Sequence, residues 1–395
     1  MLFGPANHER LTETRWDEPA ARAAIEAIVA DAEGAFDETT LWPAHPLDED
    51  GETLPPLASL YLGASGVVWA LDELERAGTA ELRRHWAPLA AALCERYLAD
   101  PDWDVDGPVP SLLMGESGIL LVAHSLAPAR WQEERLLACV EANAANPTRE
   151  LMWGAPGTML AAQVMHERTG DDCWAEAWRE SAAALWEEWR DDLWMQDLYG
   201  RTLHFFGPAH GFVGNVYVLG RGDLLDGERR AELVRRAVAA ASEHARRDGD
   251  LAQWPATLEL PKGRNGEYPV QWCHGAPGVV ASLATMAPDD DELTELLVAG
   301  GELTWRAGPL AKGAGLCHGT AGNGYAFLKL FERTGSELWL DRARAFAMHA
   351  LEQVERARST HGRGRYTLWT GDLGAALYLW SCVAASAAIP TLDRW

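Results

Sequence analysis

The chain has 395 residues, 48 % of them hydrophobic and 24 % charged, which is enough apolar material for a large core and excludes intrinsic disorder. Lys and Arg total 34 against 59 Asp and Glu, and the net charge of −25 argues against a nucleic-acid partner and against docking on an anionic membrane. Length alone suggests two or three domains, and six cysteines with no C-x-x-C suggest a reducing compartment, not a disulfide framework.

The N-terminus, MLFGPANHERLTETRW, carries charges early and has no continuous apolar run, so a secretory signal is not expected and a cytoplasmic location is. From residue 63 onward a G-x-x-G element recurs seven times: Gly63/Gly66, Gly115/Gly118, Gly154/Gly157, Gly211/Gly214, Gly275/Gly278, Gly319/Gly322 and Gly371/Gly374. Each precedes a short apolar run, such as GVVWALDEL, GILLVAHSLA, GTMLAAQVM or GAALYLWSCV. Between these runs lie longer stretches, among them 80–100, 173–190, 227–247 and 336–357, whose apolar residues recur at helical spacing with charges on the other face. Each repeat therefore reads as an outer amphipathic helix and an inner, all-round apolar one. The glycines mark the inner N-terminus, where a tight turn and close backbone approach favour Gly.

Seven such hairpins predict an all-α fold, an α/α toroid with inner and outer helix rings. Ring closure removes the need for capping repeats and makes residues 1–395 a single domain. Insertions fall around 101–110, 191–207 and 250–270. The uncharged stretch 373–392 approaches the length of a membrane span, but its Gly, Ser, Pro and Ala content suits a buried core helix better.

Two repeats stand apart. Repeat five reads Gln271-Trp272-Cys273-His274-Gly275 and repeat six Gly315-Leu316-Cys317-His318-Gly319, each with Cys-His before the first glycine. Repeat four has His alone there, Pro208-Ala209-His210-Gly211. Neighbouring repeats of a toroid set equivalent positions side by side, so Cys273 and Cys317 are expected to face each other with a histidine beside them. Two thiolates and an imidazole suit Zn²⁺ with one position left open, the catalytic pattern. The other cysteines sit in helical stretches and read as small apolar fillers.

These strings resemble the lanthionine synthetase C-like family, and its LanC-like branch more than the dedicated lantibiotic cyclases. The resemblance rests on VQWCHGAPGVV (270–280), KGAGLCHGTAGNGYAFLKL (312–330), AHGFVGN (209–215), ELMWGAPG (150–157) and YLGASG (61–66). It implies Cys273, Cys317 and His318 as zinc ligands. It also implies addition of a thiol to dehydroalanine or dehydrobutyrine, with His210 in acid–base work. Glu150 stands where the cyclases carry an aspartate, and reads either as part of the catalytic set or as a helix cap. Lys312 matches the K-G-x-G-L-C-H-G pattern and could hold a carboxylate or phosphate of the substrate. His274, next to a ligand, reads as supporting the substrate and ligand shell. The arginine that the cyclases place shortly before the first zinc cysteine is absent from 267–271, which favours the branch resembling a glutathione transferase.

The expected partners are thus a peptide or protein carrying dehydroamino acids and a small thiol such as glutathione, with no nucleic acid and no stable membrane insertion. Three alternatives stand beside this reading: a stand-alone lanthipeptide cyclase using the peptide's own cysteine, a non-catalytic zinc or glutathione-binding protein, and a glycosidase built on Asp102, Asp104 and Asp106. An anionic substrate would need a locally basic mouth, for which Lys262, Arg264, Lys312, Arg363 and Arg365 are candidates.

Overall fold

Seven glycine pairs announce seven helix starts, and a computed structural model places a helix at each. It describes residues 1–49, 54–103, 107–263 and 266–395. The outer helices are α1 (Glu18–Ala35), α3 (Ala87–Ala99), α5 (Arg130–Asn143), α7 (Asp172–Glu187), α9 (Gly227–His244), α11 (Asp291–Ala307) and α13 (Glu337–His361). The inner helices are α2 (Ala64–Arg76), α4 (Glu116–Leu126), α6 (Ala155–Thr169), α8 (Phe212–Gly220), α10 (Ala276–Leu283), α12 (Thr320–Thr334) and α14 (Asp372–Ala384). Each inner helix packs on its inner neighbours, and α14 packs on α2, so the ring closes as the α/α toroid that the repeats predict.

The two rings differ as their sequences demand. Outer α9 buries only Leu233, Ala237, Ala240 and Ala241, one stripe of an otherwise charged helix. Inner α14 buries nearly every residue from Asp372 to Cys382. It accounts for most of the 373–392 stretch, and among the described residues no helix is long and apolar enough to cross a membrane.

Helix starts are built differently too. Asp17, Asp226 and Asp290 cap outer helices α1, α9 and α11 through their side chains. Inner helices begin at glycine with no side-chain cap. Their first N–H instead reaches back to the loop, as in Ala64 N to Leu57 O, Glu116 N to Val109 O, Phe212 N to Phe205 O, Thr320 N to Gly313 O and Asp372 N to Arg365 O. The loop therefore folds back onto the helix end, and the second glycine of each pair lies against the carbonyl oxygen six residues earlier: Gly66 on Leu60, Gly278 on Trp272, Gly322 on Leu316. A side chain there would collide with backbone, which explains the repeated glycine.

The loops also bond to one another around the mouth of the ring. Tyr61 N donates to Leu113 O (2.9 Å), Trp369 N to Tyr61 O (3.3 Å), Cys317 N to Trp369 O (2.9 Å) and Cys273 N to Cys317 O (3.1 Å). These are equivalent positions of successive repeats, each five residues before the second glycine. The insertions rise over the same end. Strands β1 (Gln196–Leu198) and β2 (Arg201–Leu203) form one antiparallel hairpin, β3 (Arg246–Asp248) and β4 (Leu251–Gln253) another.

Candidate metal centre

The hydrogen-bonded rank of loops brings Cys273 and Cys317 together, and His318 follows Cys317 at the start of the α12 turn. One ligand atom from each of Cys273, Cys317 and His318 lies within 4.8 Å of the other two. Among the described residues no other cluster of three His, Cys, Asp or Glu side chains could hold a metal ion. Donors sharing one tetrahedral zinc stand about 3.3–4 Å apart from its bond lengths, inside the 4.8 Å within which these three lie. Both cysteines are buried and His318 is half-buried.

The thiols are not equivalent. The hydrogen bond from Cys273 holds Cys317 well below the usual thiol range, with His318 and Tyr61 acting the same way against the effect of burial. The same bond, joined by burial, raises Cys273. The pair is thus biased toward one thiolate, the form that a divalent cation binds. Gln271 Nε2 donates to Cys273 Sγ at 3.1 Å, and Lys312 Nζ donates to Gln271 Oε1 at 3.4 Å. Positive charge at the exposed Lys312 is so relayed toward the Cys273 sulfur.

A second constellation stands beside the first. Glu150 is fully buried, and its oxygens accept from Trp153 N (2.6 Å), Met152 N (3.0 Å) and His210 Nδ1 (2.9 Å). Glu150 therefore shapes the turn 150–153 and orients His210; it does not cap α6. The ring of His210 lies 5.6 Å from that of His274, centroid to centroid, and 6.0 Å from Phe205. Burial first, then the positive charges of His210, Lys312 and His318, push the His274 pKa down to about 3, so this imidazole is neutral near pH 7. Its buried Nδ1 has no hydrogen-bond partner among the described residues.

Over both constellations lies a pocket of about 600 Å³ whose lining includes His210, His274, Gln271, Lys312, Tyr199 and Phe205. The β1–β2 hairpin, residues of the loop after β4 such as Ala256, Thr257 and Leu260, and the segment around Asn7 and His8 form its walls. The residues that sequence singles out, Cys273, Cys317, His318, His210, Glu150, Lys312 and His274, are all brought to this one end of the ring. Gln271, Tyr199 and Phe205 are not among them. Gln271 lies inside the VQWCHGAPGVV string, while Tyr199 and Phe205 fall in an insertion with no repeat phase to single them out.

The basic mouth is only partly as expected. Arg365 is buried and committed to Asp48, and Lys262 lies over the Tyr268 ring at 5.7 Å. Lys312 is exposed at the pocket. Arg264 lies outside the described residues, as do Asp104 and Asp106. Asp102, the remaining glycosidase candidate, accepts backbone N–H bonds from Ala58 (2.8 Å) and Ser59 (2.7 Å) and holds a loop together.

The family model described as lanthionine synthetase C-like protein matches residues 55–393. The chain belongs to that family. Among curated relatives, LanC-like protein GCL1 of Arabidopsis thaliana is 32 % identical over 183 residues, covering 45 % of this chain and 40 % of the relative. Glutathione S-transferase LANCL1 of Danio rerio is 36 % identical over 157 residues, covering 39 % of this chain and 36 % of the relative. The matched part thus spans roughly two fifths of these relatives' length. Among solved structures, nisin cyclase superposes with a TM-score of 0.61 at 13 % identity, over 96 % of this chain and 100 % of that one. That likeness confirms the toroid of this LanC-like chain.

Proposed function

We propose that this LanC-like chain, acting as one toroidal domain over residues 1–395, adds a thiol to dehydroalanine or dehydrobutyrine residues of a peptide or protein and leaves a thioether. The thiol is glutathione or a similar small thiol, in keeping with the name of the LANCL1 relative. The observation that carries the reading is the Cys273, Cys317 and His318 cluster beside a carboxylate-held histidine at one pocket. The need for reduced Cys273 and Cys317 fits a cytoplasmic location.

Cys273, Cys317 and His318 would hold Zn²⁺ and leave one position of a tetrahedral set to an exchangeable ligand. The bound metal would supply the Lewis acidity that keeps an incoming thiol as thiolate near neutral pH. The remaining work falls to the chain's own residues. Lys312 offers its ammonium to a carboxylate of the thiol donor. As the sulfur bonds to the β-carbon, the double-bond electrons move toward the α-carbon and the adjacent carbonyl as an enolate. His210, donating Nδ1–H to Glu150, turns its other ring nitrogen to the pocket and delivers a proton to the α-carbon. One proton leaves the thiol and one arrives at carbon, so the addition balances.

The test is metal analysis joined to an assay. The purified protein should contain about one zinc per chain and convert a dehydroalanine peptide plus glutathione to an adduct heavier by one glutathione. Absence of zinc, or Cys273→Ala with full metal content, overturns the reading. Faster closure of a peptide's own cysteine than addition of glutathione would shift it to a cyclase.

A further inference from the structure

We propose that Tyr199 is a positioning residue for His210, an aromatic wall that holds the imidazole on Glu150 and shields it from water. Its consequence for turnover rests on the function proposed above; its structural part rests on geometry alone.

Tyr199 sits at the tip of the β1–β2 hairpin with φ +54°, followed by Gly200 with φ +69°. Two successive left-handed residues make a two-residue hairpin turn in which Asn, Asp or Gly is the favoured first residue. A tyrosine there carries a penalty of roughly 1–2 kcal/mol from its Cβ. Burial does not explain its presence, because the residue is 65 % exposed. What it touches does. The ring lies edge-on to His210, with centroids 5.6 Å apart and planes at 83°. Its hydroxyl accepts from Trp153 Nε1 at 3.1 Å.

Trp153 is three residues after Glu150, so the single turn 150–153 grips His210 from two sides. Glu150 takes the Nδ1–H directly, and Trp153 pins the tyrosine that covers the ring. Phe205 and His274 supply the remaining walls. The outcome is a histidine whose side chain is 12 % exposed although it lines an open pocket. Without Tyr199, water would reach the imidazole and compete for Glu150, and the ring could rotate away from the productive direction.

Two variants of the intact, zinc-loaded protein test this. Tyr199→Asn removes the ring but suits the turn, so its thermal midpoint should stay level or rise. Tyr199→Phe keeps the ring but loses the bond from Trp153, so it should recover most, though not all, of what Asn loses. In Tyr199→Asn, carbethoxylation of His210 by diethyl pyrocarbonate, followed by peptide mass spectrometry, should speed up about five-fold, and kcat should fall about ten-fold at unchanged zinc content and glutathione KM. A His210 labelling rate within about two-fold of wild type in Tyr199→Asn overturns the proposal, as does a Phe variant that behaves like Asn. If wild-type protein forms no adduct, the proposed function fails, while the labelling rates still decide the role of Tyr199.

Discussion

Glu150 Oε2 and His210 Nδ1 stand 2.9 Å apart although sixty residues separate them in the chain. The carboxylate is fully buried, and each of its oxygens also takes a backbone N–H from the turn 150–153. A histidine held this way has one ring nitrogen committed to Glu150, in a side chain that lines the pocket. In the proposed reaction the pair divides labour: Glu150 orients the imidazole and His210 would transfer the proton.

His210→Ala should therefore lower adduct formation about 10²–10⁴-fold while leaving zinc in place. Glu150→Gln should slow it less, since one acceptor oxygen remains. Glu150→Ala leaves the Met152 and Trp153 N–H groups without their acceptor and should cost about 1–3 kcal/mol of stability, read as a lower urea midpoint. Zinc loss in His210→Ala would mean that the ligand set was misassigned.

Gln271 is expected to tune the metal without binding it. Its Nε2 donates to Cys273 Sγ. Gln271→Ala should weaken zinc affinity about 10–100-fold, measured by competition with a chelator, the range typical of groups that hydrogen-bond a ligand. Cys317→Ala and His318→Ala should lose the metal outright. Equal affinity in Gln271→Ala and wild type would sink the idea.

Acid stability should carry the mark of His45. Burial first, then the positive charges of Arg365 and His361, with a smaller push from Arg363 and an opposing pull from Asp48, set its pKa at about 4, below the unfolded value of 6.5. Its Nδ1 accepts from Leu47 N and its Nε2 has no partner among the described residues. Between these two values the unfolded chain binds more protons, so stability rises with pH. The contribution is complete above pH 6.5 and is lost as pH falls toward 4. His45→Gln should lessen the rise of the thermal midpoint with pH over this window, leaving the share of His274; an unchanged slope would show that His45 does not contribute to it.

The glycine phase makes a packing prediction. Gly322→Ala would drive a Cβ into Leu316 O, and Gly278→Ala would meet Trp272 O and the Pro208 ring. Each should destabilise by about 1–3 kcal/mol or more, the usual range for an overpacked core. Gly227→Ala, at the start of α9 with open space around it, should be neutral or slightly stabilising in the same melt. Equal tolerance at all three sites would contradict the close-approach account.

The repeat is legible in the amino-acid sequence because helical period and glycine phase are short-range signals. Seven glycine pairs correspond to seven inner helices, and the amphipathic stretches between them to outer ones. Cys273 and Cys317 can be paired from sequence because both stand at one phase of neighbouring repeats, and the hydrogen bond from Cys273 N to Cys317 O is that phase realised. Net charge is less informative about the mouth. It does not reveal that Arg365 is consumed by Asp48 while Lys312 stays exposed at the pocket.

Fold class, ring order and the pairing of Cys273 with Cys317 thus follow from local pattern, since each depends on residues a few positions apart repeated in register, while the choice of His318 beside them rests on the family resemblance. The grip of Glu150 and Trp153 on His210 and Tyr199, and the relay from Lys312 through Gln271 to Cys273, do not. These contacts join loops of different repeats and a hairpin insertion. Their geometry exists only after ring closure has set the loops edge to edge, because side-chain meeting across the mouth is fixed by long-range packing and not by spacing along the chain.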